Sequence, residues 1–141
     1  MRKASRIIYL VAAILSIFAA LGYIGWGVFC IVGANTEVFI EGVIEGYNKN
    51  PAPGVDALEF LAAAQALVIY CGVCLLISAA CAGVNSFLAF KAHHEAKPSK
   101  ALNVLNIVFS VLGGVFVNVV AAIFAFIADH QEAYRAIEEK K

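Results

Sequence analysis

Residues 60–90 read FLAAAQALVIYCGVCLLISAACAGVNSFLAF, without one Asp, Glu, Lys or Arg. A charge-free run of about 30 residues exceeds the roughly 20 apolar residues that a helix needs to cross a bilayer. Residues 7–36 and 101–128 share the property, so every charged side chain lies in the two ends and the two connections. Of the 141 residues 62 % are hydrophobic and 14 % charged, against about 25 % charged in a soluble domain. The pattern predicts an all-α integral membrane protein. No connection approaches the roughly 50 residues of a separate domain. The expectation is therefore one membrane domain over residues 1–141, with spans at about 7–32, 57–90, 100–113 and 115–129. An outer loop at 33–56, a cytoplasmic loop at 91–99 and a polar tail at 130–141 complete it.

Arg2, Lys3 and Arg6 precede the first stretch, and Val32-Gly33-Ala34 has the small residues of a cleavage site. The apolar run from Ile7 to Val32 far exceeds the roughly 7–15 residues of a signal-peptide core, which predicts a retained span. Residue 2 is Arg and the chain ends Glu-Glu-Lys-Lys, so no lipidation box is expected. The three basic residues predict a cytoplasmic N-terminus by the positive-inside rule. The next connection holds only Lys49 against Glu37, Glu41, Glu45, Asp56 and Glu59, and belongs outside. Lys91, Lys97 and Lys100 return the following one to the cytoplasm.

Small residues recur along each segment. Ala12, Ser16 and Ala20 fall on one face of the first, and Cys74, Ser78, Ala82 and Ser86 form the stripe of the second. Such stripes are helix-packing candidates, because small side chains let backbones approach closely in lipid. Tyr23 and Trp26 are placed for the outer interface, where amphipathic rings prefer to sit. In the outer loop, Glu37, Glu41 and Glu45 fall at i, i+4, i+8 opposite Val38, Phe39, Val43 and Ile44, which predicts a short amphipathic helix over 36–47. The Pro51-Ala52-Pro53-Gly54 run breaks it, and Asp56 with Glu59 three residues on predicts an N-cap for the next helix. Val55 to Phe90 as one helix would run roughly 50 Å against a core of about 30 Å, so it must tilt or project.

The last apolar stretch has two readings. As one helix, Asn106, Ser110, Gly114, Asn118 and Ala122 line a face and Asn118 falls near mid-bilayer, giving three single spans. With a turn at Gly113-Gly114, it becomes two legs of about 22 Å each, which need thinning of the bilayer or a re-entrant path. The tail cannot arbitrate by charge, since Arg135, Lys140 and Lys141 face Asp129, Glu132, Glu138 and Glu139.

Three stretches resemble recurring ones in uncharacterised small four-span membrane proteins of Gram-positive bacteria. They are Val84-Asn85-Ser86-Phe87-Leu88-Ala89-Phe90-Lys91, Leu102-Asn103-Val104-Leu105-Asn106-Ile107-Val108-Phe109, and Val117-Asn118 through Ile127-Ala128-Asp129. The basic start Lys3-Ala4-Ser5-Arg6 is similar too, and the likeness covers about half the chain. It departs where Ala121-Ala122 stand in place of glycine, a small-for-small change. The resemblance implies architecture and no activity: polar residues at the place of Gly113-Gly114 in that family imply a turn. The favoured fold is thus a helical transmembrane bundle of two long spans followed by a short helical hairpin, with three single spans as the alternative.

Cys71-Gly72-Val73-Cys74 has thiol-redox spacing, but no charged neighbour to stabilise a thiolate. Buried unionised cysteine behaves as a small hydrophobe, which is the commoner case. His93 and His94 diverge by about 100° on a helix, so with His130 they make a poor ligand set, and no metal is expected. Glu37, Glu41 and Glu45 could attract cations at a pore mouth, although the solvated face of an interfacial helix is the favoured account of them. No residue pattern points to catalysis, a cofactor or nucleic acid. The expected role is non-enzymatic: an accessory, scaffold or self-associating protein whose partners are the lipid bilayer and either its own copies or another membrane protein. The alternatives are a small homo-oligomeric ion channel with an acidic outer mouth, and a membrane thiol redox protein.

Overall fold

The computed structural model describes residues 1–138; Glu139, Lys140 and Lys141 of the expected tail lie outside the described residues. It is all-helical: α1 (Arg2–Gly33), α2 (Glu37–Lys49), α3 (Ala57–His94), α4 (Lys100–Leu112) and α5 (Val117–Glu138), with no strand among the described residues. Helices α1 and α3, of 32 and 38 residues, are long and apolar enough to cross a membrane. The contacts divide the chain into two compact units. One is built from Met1–Leu21 and the chain from Ser78 onward, the other from Gly22–Ile77.

In the first unit the stretch 101–128 is not one helix. Ser99 caps α4, its Oγ accepting the Leu102 N–H at 3.1 Å, just after Pro98 has ended the previous connection. At the far end Gly114 takes φ +68°, a left-handed conformation that glycine adopts without strain. Its N–H donates to Val111 O, and the Val115 N–H donates to Ser110 O. That is the double hydrogen bond of a Schellman motif, which stops a helix and turns the chain. The turn reading therefore holds, and the three-span alternative does not. Lys97 Nζ lies 3.9 Å from Asp129 Oδ1, so the start of α4 meets α5 beyond its apolar part and the legs are antiparallel.

Helix α5 does not end where the expected polar tail begins. It continues through Gln131, Glu132, Ala133 and Ala136 to Glu138. Apolarity marks where a span ends, whereas backbone helicity persists through residues of good helix propensity.

The core of this unit is made of Tyr9, Ala13, Ala89, Ala92, Leu102, Ala121, Ala122 and Ala125. Six of these eight are alanines, too short to meet across an ordinary helix pair, so their burial reports close backbone approach. At the hairpin tip, a Cβ added to Gly113 would stand 2.9 Å from Ala82 N and 3.0 Å from Ala82 Cα.

In the second unit α1 and α3 cross at paired glycines. A Cβ on Gly72 would stand 2.9 Å from Gly27 O and 2.7 Å from Ile31 Cγ1. The expected amphipathic helix is α2, entered through Thr36, whose Oγ1 accepts the Phe39 N–H at 3.3 Å. It is held at both ends. Gln65 Nε2 donates to Ala34 O at 3.0 Å, while Tyr47 donates its hydroxyl to Val55 O and packs its ring 5.5 Å from Phe60. Asp56 caps α3 as expected, accepting the Glu59 N–H at 2.8 Å.

Candidate functional site

Helix α4 carries Asn103, Asn106 and Ser110 at i, i+3, i+7, one face of a helix. All three are fully buried, together with Asn85 and Asn118. Tyr9 donates its hydroxyl to Asn103 Oδ1 at 2.8 Å, linking α1 to α4. Asn106 Nδ2 donates to Leu102 O at 2.9 Å and reaches Leu88 O of α3 at 3.4 Å. A relay crosses three helices: Asn118 Nδ2 donates to Asn85 Oδ1 at 2.7 Å, Asn85 Nδ2 to Ser16 Oγ at 3.0 Å, and Ser16 Oγ to Ala12 O at 2.8 Å. Ser86 donates to Ala13 O and Ser5 to Ala121 O, both at 2.9 Å. Ser110 donates to Val115 O across the hairpin turn. Asn103 Nδ2, Asn106 Oδ1 and Asn118 Oδ1 have no protein partner among the described residues.

Every group in this core is a neutral amide or hydroxyl. Such groups join helices where the medium offers no competing hydrogen bonds, and none ionises near neutral pH. Removing Asn85 should therefore loosen the unit. Asn85→Leu severs two interhelical bonds and isolates Asn118 Nδ2, and is expected to lower stability by about 1–2 kcal/mol. Asn85→Leu with Asn118→Leu should recover part of that, because both ends of the lost bond are gone. Titration of detergent-solubilised protein with SDS measures both. A double variant less stable than the sum of the singles would contradict the relay.

The helix-packing candidates divide clearly. Ala12, Ser16, Ala82, Ser86, Asn106, Ser110 and Asn118 are buried inside the chain's own packing. Ala20 and Ser78 are half-buried, and Cys74 and Gly114 are exposed. The buried line on α3 instead runs Gly72, Ala79, Ala82, Asn85, Ser86, Ala89 and Ala92. Steps of four residues rotate about 400° and drift about 40° each time, so a strict fourfold stripe leaves a face that alternating steps of three and four would keep. Gly114 serves the turn and not a seam. Sequence reasoning passed over Gly72, which stands between the two cysteines that drew attention, and over Tyr9, the one polar aromatic in the N-terminal half of α1.

An ionic cluster closes one end of the first unit. The Arg2 guanidinium donates to Asp129 Oδ1 at 2.9 Å and to both carboxylate oxygens of Glu132. Lys97 Nζ stands 3.7 Å from Glu132. The hydrogen bond from Arg2 is the main reason that the Glu132 carboxyl is held below its ordinary pKa. Arg6 Nε donates to His93 O at 2.9 Å, and His93 Nδ1 faces Arg6 O at 2.8 Å. His130 instead packs edge-on against Tyr134, with ring centroids 4.7 Å apart. Among the described residues, no group of three or more His, Cys, Asp or Glu is placed to hold a metal ion.

Glu37, Glu41 and Glu45 are all exposed on α2, and Glu45 pairs with Lys49 at 2.7 Å. Cys71 and Cys74 are exposed, Cys30 and Cys81 half-buried, and all four are free thiols. No family model, no curated protein and no solved structure matches the chain.

Proposed function

We propose that this chain is a multi-pass membrane protein without chemistry of its own, an accessory or scaffold that acts through helix contacts with its own copies or with another membrane protein. The observation that carries this reading is the inverted polarity of the helices. Phe18, Trp26, Phe29 and Phe87 are each more than 60 % exposed, while four asparagines are fully buried. Only 22 % and 17 % of the most apolar windows of α1 and α3 are covered within the chain, unlike the core helices of a soluble domain. In water that surface would associate without limit; in hydrocarbon it meets a matching solvent, and the interior amides supply the cohesion.

Arg6 beside His93, and Lys97 beside Asp129, bring the basic ends of the first unit together. In this reading they lie in the cytoplasm. The hairpin enters and leaves on that side, because α4 with its 13 residues reaches only about 20 Å. Its tip at Gly113 abuts Ala82, nine residues or roughly 13 Å along α3 from Lys91, close to the middle of a ~30 Å core. Its two legs are then the last two apolar segments of a four-segment protein, in keeping with the resemblance to small Gram-positive membrane proteins. In a cysteine-free variant, Phe116→Cys should escape an impermeant maleimide from both faces of the membrane, and Arg135→Cys should react only from within. External reaction at position 116 would mean that the turn emerges on the far side.

Mild extraction of tagged protein from native membranes, followed by mass determination and identification of what co-purifies, tests the role. A stoichiometric foreign subunit or a defined homo-oligomer supports the reading; a lone monomer that accounts for all of the protein sinks it. Ion flux through liposomes, lowered by Glu37→Gln, Glu41→Gln and Glu45→Gln together, would replace it with a channel. For association, Cys74→Leu with Ser78→Leu is the informative variant. Ala82→Leu would instead break the chain's own contact with Gly113.

A further inference from the structure

We propose that the pocket between the 97–100 connection and α5 holds the headgroup phosphate of an anionic phospholipid, with Lys97 and Lys100 as its cationic contacts. The inference rests on the membrane reading above, which puts this end of the hairpin at the cytoplasmic surface. The pocket, about 580 Å³ in volume, is lined by Lys97, Ser99 and Lys100 on one side and by Phe126, Asp129 and His130 on the other. That volume falls in the range of small-ligand sites.

The charge around this space is positive. Asp129 is the one carboxylate among the lining residues, and Arg2 donates to its Oδ1 at 2.9 Å from outside the pocket. Lys97 Nζ stands 3.9 Å from Asp129 and 3.7 Å from Glu132, beyond hydrogen-bond length, so its protons are open to a closer partner. Lys100 forms no ion pair among the described residues. Ser99 Oγ accepts the Leu102 N–H and keeps its own proton to donate. Two ammonium groups and a hydroxyl around one space suit a phosphate, which lysine meets as a point charge. Pro98 is buried and Ser99 caps α4, so the connection that carries both lysines is fixed at its centre.

An apolar path leads from the pocket toward the hairpin tip, and this selects a lipid over a free phosphate. Val104 and Val108 follow Lys100 at i+4 and i+8 on α4, while Ile123 precedes Phe126 by three residues on α5. Because the legs are antiparallel, both rows run the same way into the membrane, and Val104, Val108 and Ile123 are each 45–50 % exposed. A phosphate joined to acyl chains matches that order of surfaces, cations first and hydrocarbon below.

Native mass spectrometry of protein reconstituted in vesicles of equimolar phosphatidylglycerol and phosphatidylethanolamine, then released into mild detergent, tests this. One retained phosphatidylglycerol per chain is expected, favoured over phosphatidylethanolamine by about fivefold or more, the factor that one lysine supplies at an anionic surface. Lys97→Gln with Lys100→Gln should abolish the preference. Lys3→Gln with Lys91→Gln removes the same charge outside the pocket and should keep it. Ala133→Phe, at an exposed lining position, should fill the space and lose the lipid with every charge in place. Equal losses in the two lysine pairs, retention by Ala133→Phe, or release of the lipid by excess inorganic phosphate would each overturn the proposal. A carbonate wash of the same vesicles separates the two failures. Protein that washes off fails the membrane reading, and embedded protein without a lipid preference fails only the pocket.

Discussion

Gly113→Leu should be among the most damaging single changes in the chain, lowering the unfolding free energy by about 3 kcal/mol in an SDS titration. The added side chain begins 2.9–3.0 Å from the backbone of Ala82 and from Phe109 O, atoms that cannot rotate away. Relief requires the hairpin to withdraw from α3, and with it Asn118 from Asn85 and Asn106 from Leu88. Gly83→Leu is the matched control, one position from Ala82 but with no heavy atom within 4 Å of its added Cβ. It should leave stability unchanged or slightly raised, since leucine favours helix over glycine. Equal effects at positions 83 and 113 would mean that the hairpin tip does not pack there.

Gly72→Leu should act on the other unit with similar force, about 2–3 kcal/mol. Its Cβ would lie 2.9 Å from Gly27 O, a backbone atom, as well as 2.7 Å from Ile31 Cγ1. The side chain of Ile31 can yield, but Gly27 O cannot, so α1 and α3 must separate at this crossing. The single tryptophan, Trp26, neighbours that crossing and packs edge-on against Phe29 at 5.6 Å. Its emission should shift with Gly72→Leu and stay with Gly25→Leu, which points into open space. A shift in both would assign the effect to added bulk in general.

The asparagines show how far a one-dimensional reading reaches. Asn103, Asn106 and Asn118 stand out in apolar text, and a polar side chain there must find a partner. That they are interior follows from the sequence; which group each one meets does not. Asn85 bonds Ser16 and Asn118, residues 69 and 33 positions away. Their pairing depends on helix rotation and on where the hairpin tip stops along α3. The same limit explains Cys74, whose place on a fourfold stripe suggested packing until the rotation of α3 put Gly72 in the contact instead.

Composition and spacing were enough for the helices, the cap at Asp56 and the amphipathic α2, because each depends on neighbours within a few residues along the chain. A solvent is also legible this way, since thirty residues without charge can satisfy their backbone in hydrocarbon only as helix. The hairpin was open to two readings, because Gly-Gly is tolerated in a membrane helix and also ends one. The folded structure decided it: the Schellman bonds from Gly114 and Val115 close a turn, and its tip packs closely on the small face at Ala82. Which residues touch and which end of α5 meets Arg2 are settled by contacts between segments distant in the chain. Their energies depend on three-dimensional distance, and linear order does not encode that.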